Sequence, residues 1–324
     1  MSESGLSPAI AIVGPTASGK SALAMRISER FDAEIVNVDS VQVYRGFDVG
    51  TAKTPADARR GVPHHLIDHV EPQRPYSAGE FARDARAVLQ RLRQRQKLPV
   101  LVGGTGFYLD AMLTGLFPGP RRNVDLRRRL QESAARNRAG HLWRMLARLD
   151  RRAAEAIHPN DSPKIVRAIE VTLLGKRPIT DLWREAGERL EGYRMLLLGL
   201  DPPREALYAR IGERARRMFA EGLVEEVRGL LQSGVSEQCW PFRALGYAQC
   251  LRYLDGKSDL DEAIAATAMH TRRYAKRQLT WLRGKQPGIR WLGEFGDSER
   301  AFEWAAGECA GWLEIGCRAS PDTQ

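Results

Sequence analysis

Long apolar runs are missing from this chain. Nowhere in its 324 residues is there a stretch near the roughly 18 consecutive apolar residues of a membrane helix, which argues against a helical membrane protein. The opening MSESGLSP lacks the basic segment and apolar core of a secretory signal, so a cytoplasmic protein is expected. Cysteine is scarce. Cys239, Cys250, Cys309 and Cys317 are scattered, and none belongs to a CxxC pair. That spacing indicates neither a zinc site nor a disulfide framework, and ordinary reduced thiols are expected. Internal repeats and low-complexity tracts are also missing. At 43% hydrophobic residues, the chain can bury a large core, as two domains or as one domain with an insertion.

Charge is what the sequence has in excess. Fifty Lys and Arg stand against 40 Asp and Glu, a net +10. A basic balance favours a polyanionic partner, because Lys and Arg displace counterions condensed on phosphates. The distribution sharpens this. HTRRYAKRQLTWLRGK (270–285) carries Arg272, Arg273, Lys276, Arg277, Arg283 and Lys285 with no acid, and RRNVDLRRR (121–129) has five arginines and one aspartate. A merely solvated helix face usually mixes signs, so these runs point to nucleic acid.

The first 115 residues alternate strand and helix signals. AIAIV (9–13), AEIVNV (33–38) and LPVLVGG (98–104) read as buried strands. Helices are expected at 20–30 and at 81–96, where Phe81, Ala85, Val88, Leu89 and Leu92 recur at helical spacing. YRMLLLGLDPP (193–203) reads as a fourth strand, closed by two prolines. Such alternation predicts an α/β protein with a parallel sheet covered by helices on both faces. The Arg-rich stretch 120–192 has no clear strand and reads as a mainly helical insertion. The core would then be 1–119 together with 193–324, helical after 203 with a break near Gly222.

GPTASGKS follows the first strand and opens a helix, the context in which GxxxxGK[ST] forms a phosphate loop. Glycines let the backbone curl so that Gly14, Pro15, Thr16, Ala17, Ser18 and Gly19 wrap an anion at the positive end of a helix. Lys20 would neutralise the outer phosphate, and Ser21 can ligate Mg2+. The motif specifies polyphosphate, not ATP. A nucleotide kinase or ATPase usually adds a strand ending in Asp to hold the metal. LPVLV ends instead in GGTG, whereas IVNVDS ends in Asp39. An acid at a strand's carboxyl end, beside the phosphate crevice, is placed to touch a substrate. The structural alternative is a cap for the next helix.

Seven segments in order, GPTASGKS, NVDSVQVYRGFDVGTAK, GVPHHLIDHV, VGGTGFYL, IHPNDSPKIVRAIEV, FRALGY and TRRYAKRQLTWLR, resemble those of tRNA dimethylallyltransferases, over about residues 9–295. The resemblance implies transfer of a dimethylallyl group from its diphosphate to the exocyclic amine of the adenosine just 3′ of the tRNA anticodon. It implies that the phosphate loop holds an isoprenoid diphosphate with Mg2+, helped by Arg214 and, earlier in the same segment, Arg210. It assigns Asp39 as the base that orients the weakly nucleophilic amine and takes its proton, and Thr105 as a positioning hydrogen bond. Thr16 and Ser18 are added as substrate contacts on the same grounds. The target base would be flipped out of its loop.

The resemblance also implies which segments contact the anticodon arm: Asp39, Ser40, Val41 and Gln42; Pro163, Lys164, Ile165, Val166 and Arg167; Phe242, Arg243, Ala244, Leu245, Gly246 and Tyr247; and Lys276, Arg277, Gln278, Leu279, Thr280, Trp281, Leu282 and Arg283, with Thr105 nearby and Arg127 on the anticodon stem. Phe242, Tyr247 and Trp281 are candidates to stack on splayed bases, and Arg243 and Arg277 to bind base edges or phosphate. The chain departs from the family pattern at Ala248, where Lys or Arg is common, and at Pro163-Lys164, where Gln-Arg or Ser-Arg is common. His64, His65 and His69, with Asp68, suggest a metal cluster, but the matching family segment has no metal role and a structural reading is taken. His158 is expected in a turn. The competing functions are prenylation of a free adenine nucleotide, a phosphate-loop kinase or ATPase, and a non-catalytic RNA-binding protein. The acid-free basic run disfavours the first, the missing acid after LPVLV the second, and the Asp39–Thr105 pair the third. A monomer is expected.

Overall fold

Alternate residues of the first strand serve opposite sides of a sheet, as a two-residue period demands. Ile10 and Ile12 join one buried cluster with Leu23, Ile27, Ala305 and Cys309. Ala9, Ala11 and Val13 join another with Phe81, Ala85, Leu89 and Leu92. Both faces are covered, so the strand reads as an unbroken apolar run.

The computed structural model describes residues 5–185 and 187–318, with side chains to 314. The side chain of Cys317 and the first four residues lie outside this range. The elements in order are β1 (Ser7–Val13), α1 (Lys20–Arg30), β2 (Ala33–Asn37), β3 (His64–His65), α2 (Ala78–Gln94), β4 (Leu98–Gly103) and α3 (Gly106–Thr114). Then come α4 (Val124–Arg136), α5 (His141–Leu149), α6 (Arg151–Ala156), α7 (Ser162–Gly175) and α8 (Ile179–Leu182). The chain returns through β5 (Tyr193–Leu200), α9 (Arg204–Ala220), α10 (Leu223–Gln232), α11 (Tyr247–Leu254), α12 (Leu260–Lys285), β6 (Arg290–Leu292) and α13 (Glu299–Arg318).

It forms two compact units, residues 1–113 with 190–324, and residues 114–189. The larger unit holds a sheet of order β3-β2-β4-β1-β5-β6, and every pairing is parallel. The four expected strands are there. β3 and β6 add two or three residues at the edges, too short to show a period in sequence. β2 lies directly against β4, and β4 against β1. The loops leaving these three strands therefore open at the same edge of the sheet, where ligands bind in open α/β folds. Among the described residues, no helix is long and apolar enough to cross a membrane.

The smaller unit is helical, with its own core of Leu130, Leu142, Leu146, Ile165, Val166 and Ile169. Two carboxylates brace it. Asp150 caps α6 through the Ala153 amide at 3.0 Å and accepts from the Thr180 amide and hydroxyl at 3.0 and 2.9 Å. Glu170 is fully buried and receives the Asn123 amide at 2.7 Å, Arg127 at 2.9 and 2.8 Å and Arg167 at 2.7 Å. Burial alone would raise the Glu170 carboxyl pKa. Its arginine and amide partners outweigh that and hold it below the ordinary value.

Removing one partner of a buried charged network leaves the others unpaired, which costs about 3–5 kcal/mol. Glu170→Ala is therefore expected to unfold the smaller unit at distinctly lower denaturant, and Glu170→Gln less so. The stabilisation from Glu170 is present above the unfolded carboxylate pKa and is lost as pH falls through the lower folded value. Denaturation at pH 7 and pH 3 should show the wild-type advantage over Glu170→Gln shrinking in acid.

Candidate active site

The turn after β1 has the backbone of an anion cradle. Gly19 sits at φ +84°, in the left-handed region open to glycine, and Ala17 also has positive φ, +64°. Gly19 caps α1 without a side-chain hydrogen bond, and the first turn of α1 carries no acid. The amides and positive end of that helix are thus left for an outside anion. Ser18 is fully buried, and its hydroxyl has no partner among the described residues. Lys20 folds over the turn and donates from Nζ to the Pro15 carbonyl at 2.9 Å. Burial, and then Arg214, lower its pKa to about 8, against a smaller opposing pull from Asp39. Burial likewise lowers the pKa of Arg214, again opposed by Asp39.

Asp39 and Thr105 lie just past the ends of the neighbouring strands β2 and β4. Asp39 Oδ1 accepts from the amides of Val41 at 2.8 Å and Gln42 at 3.1 Å. This Asx turn locks the carboxylate, and Oδ2 carries no hydrogen bond among the described residues. Thr105 Oγ1 accepts from the Ser40 amide at 3.2 Å. The Gln42 side chain donates to the Thr51 carbonyl at 3.1 Å, and Arg214 reaches the same oxygen at 3.2 Å.

These groups surround a cavity of about 360 Å³, lined among others by Thr16, Lys20, Ser21, Asp39, Gln42, Arg214, Arg243, Tyr274, Arg277 and Gln278. A second cavity, about 450 Å³, also touches Lys20 and is lined by Lys53, Arg210, Arg214 and Arg217 among others. The two share only Lys20, Ser21, Ala52, Arg214 and Met218. Lys20 and Arg214 make one part of the junction cationic, and Met218 and Ala52 give it an apolar rim. Arg210 is occupied differently from expectation: both terminal nitrogens bond Asp297, at 2.8 and 2.7 Å. The Asp297 loop also supports the turn, with the Gly296 amide donating to Ser18 O at 2.8 Å.

Several residues expected at the RNA surface are placed otherwise. Phe242 and Tyr247 are 1% and 0% exposed and pack on Phe47, with ring centroids 5.1 and 4.8 Å away. The Tyr247 hydroxyl donates to Glu226 at 2.5 Å. Neither ring can stack on a base; both belong to the core beneath the loop carrying Gln42. Leu282 is also core. Ile165 and Val166 belong to the core of the smaller unit, where only Pro163 and Lys164 of that segment are exposed and Arg167 is half-buried. Arg127 and Arg167 are both engaged with Glu170. Gln278, buried at 6% exposure, is engaged at both ends of its amide. Arg243, Lys276, Arg277, Thr280 and Arg283 are exposed, and Ala244, Leu245, Leu279 and Trp281 half-buried. Arg243 lies 5.7 Å from the Trp240 ring, and Arg283 pairs with Asp201. Gly246 is buried, at φ +91°.

The histidines have protein partners. His65 Nε2 lies 2.7 Å from Glu34 and His64 Nδ1 2.8 Å from the Val62 carbonyl, while His69 faces Asp84 at 3.4 Å. His158 lies in a turn, its carbonyl accepting from the Asp161 amide at 2.8 Å.

One wall of the cavity was not anticipated. Thr267, Thr271, Tyr274 and Gln278 all line it, and their spacing of four, three and four residues puts them on one face of α12. That stripe is present in the sequence, masked by the surrounding arginines. Burial, and then Asp39, push the Tyr274 hydroxyl up to about 12, despite its contacts with Thr105 and Gln278. It stays protonated and is a hydrogen-bond donor at the cavity wall.

The IPP transferase family profile matches residues 42–285. A tRNA dimethylallyltransferase of Solibacter usitatus is 50% identical over 306 residues, covering 94% of this chain and 99% of that protein. One from Koribacter versatilis is 50% identical and covers 88% and 92%. Among solved structures, a full-length tRNA isopentenylpyrophosphate transferase from Bacillus halodurans aligns with TM-score 0.71 at 35% identity, covering 96% of this chain and 98% of that one. A eukaryotic dimethylallyltransferase, described as acting on tRNA, aligns with TM-score 0.79 at 25% identity over 98% and 81%. With a family profile spanning most of its length and half-identical relatives covered almost end to end, this chain belongs to the IPP transferase family.

Proposed function

We propose that this protein transfers a dimethylallyl group from dimethylallyl diphosphate to the N6 amine of the adenosine 3′-adjacent to the tRNA anticodon, position 37. The observation that carries the reading is the junction of two cavities at Lys20 and Arg214, with Asp39 on one side only. The cationic end suits a diphosphate, the apolar rim of Met218 and Ala52 a short hydrocarbon, and Asp39 an amine arriving through the cavity it lines.

The chemistry then divides among named atoms. The bond between the allylic carbon and the diphosphate oxygen breaks, and a bond from that carbon to N6 forms. Diphosphate leaves with its electron pair, held by the loop amides, Lys20 and Arg214, fixed dipoles and charges that need no reorganisation. The amine, whose lone pair is shared with the purine ring, donates a hydrogen bond to Asp39 Oδ2 and passes its proton there. Thr105 holds the Ser40 amide and so the Asp39 turn. The donor set also fits Mg2+. Ser21 presents a hydroxyl to both cavities, and no group of three His, Cys, Asp or Glu among the described residues could cage a metal. In a phosphate loop Mg2+ is held by one Ser or Thr hydroxyl together with substrate phosphates and waters. When bound it supplies charge neutralisation at the leaving group. Arg243, Lys276, Arg277, Trp281 and Arg283 of the larger unit, and Arg127, Pro163, Lys164 and Arg167 of the smaller one, are the proposed contacts to the anticodon arm. The same reading has the protein act as a monomer.

The direct test uses purified protein, unmodified tRNA and dimethylallyl diphosphate labelled in its carbon chain, with AMP and ATP as rival acceptors. Label is expected in tRNA alone, mapped to the adenosine beside the anticodon. Label in the mononucleotide, or ATP turnover without transfer, would overturn the reading. Asp39→Asn keeps an oxygen for the Val41 and Gln42 amides but cannot take a proton. It is expected to slow transfer by about 10²-fold or more with tRNA affinity nearly unchanged.

Lys20 gives a pH dependence. With its pKa lowered to about 8, Lys20 is charged below pH 8 and loses its charge as pH rises through that value. Calorimetric affinity for dimethylallyl diphosphate should therefore weaken roughly fivefold from pH 8 to pH 9, with proton uptake on binding. Lys20→Met is expected to bind weakly and without that dependence.

A further inference from the structure

Gln278 comes from the last third of the chain, yet it sits at the centre of the site. Its Oε1 accepts from the Thr16 amide at 2.8 Å. Its Nε2 donates to the Gly104 carbonyl at 2.8 Å. The two partners differ in kind, so only one orientation of the carboxamide satisfies both, and the side chain cannot flip without losing both bonds.

Each bond leads on to a proposed catalytic group. The Thr16 N–H belongs to the same planar peptide as the Pro15 carbonyl, and in a trans peptide the two point in opposite directions. Fixing the N–H on Gln278 therefore aims the carbonyl away from it, toward Lys20 Nζ at 2.9 Å. The same carbonyl receives the Ser18 amide at 3.3 Å. On the other arm, Gly104 immediately precedes Thr105, whose hydroxyl holds the Ser40 amide beside Asp39. The fit is close. A Cβ on Gly104 would lie 2.1 Å from Gln278 Nε2, so the turn after β4 has room for this side chain only because residue 104 is glycine.

We propose that Gln278 is a positioning residue, one carboxamide that sets the phosphate loop against the Asp39–Thr105 pair and so fixes the distance between donor and acceptor. It acts through the Thr16–Pro15 peptide on Lys20 and through Gly104 on Thr105, and it touches no RNA. The inference rests on the prenyl-transfer reading and assigns a role within that site. Misplacing reacting groups by about an ångström can cost on the order of 10²-fold in rate, which is the scale expected here.

The test compares wild type with Gln278→Met, which keeps length and volume but loses both bonds, and Gln278→Asn, which keeps the amide but is one methylene too short to span both partners. For each, labelled transfer gives kcat and KM for dimethylallyl diphosphate, a filter assay gives tRNA affinity, and thermal unfolding gives Tm. The expected result for Gln278→Met is a fall of about tenfold or more in kcat/KM for the diphosphate, with tRNA affinity within twofold and the fold intact. Gln278→Asn should fall between it and wild type, and it decides the matter if the methionine variant does not fold. Weakened tRNA affinity with unchanged diphosphate kinetics would make Gln278 an RNA contact and overturn the proposal. Kinetics equal to wild type in a folded variant would overturn it too. Absence of transfer by the wild-type protein would instead sink the prenyl-transfer reading itself.

Discussion

Lys20 carries a charge in a place that does not favour it. Its ammonium is tucked into the turn after β1, beside the cation of Arg214, with a neutral carbonyl for a hydrogen-bond partner. The lowered pKa expresses that cost. An arriving diphosphate removes it by adding the missing negative charge. The rest of the site follows from keeping this cation only partly compensated, by the pull of Asp39. The carboxylates nearby are committed elsewhere: Asp39 Oδ1 to two amides, Asp297 to Arg210, and Asp48 and Asp68 to Lys53 at 2.5 and 2.6 Å.

The loop between β2 and β3 shows how core and site are joined. It carries Asp39, Ser40, Gln42 and Thr51 on the cavity side. Its other side is held by Lys53, almost fully buried and donating to Tyr44 O at 2.8 Å, and by Glu226, which receives the Asp48 and Val49 amides at 3.0 and 2.8 Å. Phe47 in the same loop packs against Phe242 and Tyr247. A loop of this length would cost much conformational entropy to order by itself. Aromatic burial, the buried Lys53 and the half-buried Glu226 order it, and the catalytic turn is its exposed end. Stability and substrate positioning thus draw on the same contacts, so substitutions at Phe242 or Tyr247 act on the site without touching substrate.

What could be read from the sequence was local. The strands β1, β2, β4 and β5 are legible because strands buried on both faces become unbroken apolar runs. Gly14 to Ser21 are legible because a phosphate cradle needs glycines, a lysine and a helix start at fixed spacing. Asp39 and Thr105 stand out as polar residues at strand ends. The rest depends on distance in space. β3 and β6 are pairings too short to leave a pattern. FRALGY does not say which of its side chains face inward, and both aromatics turn out to be core. The basic residues of α12 draw attention to its outer face, although its inner stripe lines the cavity. Gln278 meets partners 262 and 174 positions away, contacts that no local window contains.

The seating of α12 on the turn after β4 has an evolutionary side. Gly104 and Gly106 stand two residues apart, and Gln278 and Trp281 fill the space their missing side chains leave. A Cβ at position 106 would come within 2.3 Å of the Trp281 ring. Such a pair of interlocking contacts cannot drift one residue at a time. A larger residue in the turn must meet a smaller one on the helix in the same lineage, or the helix lifts. Positions 104 with 278, and 106 with 281, should therefore behave as epistatic couples, each substitution harmful alone and tolerable only beside its counterpart.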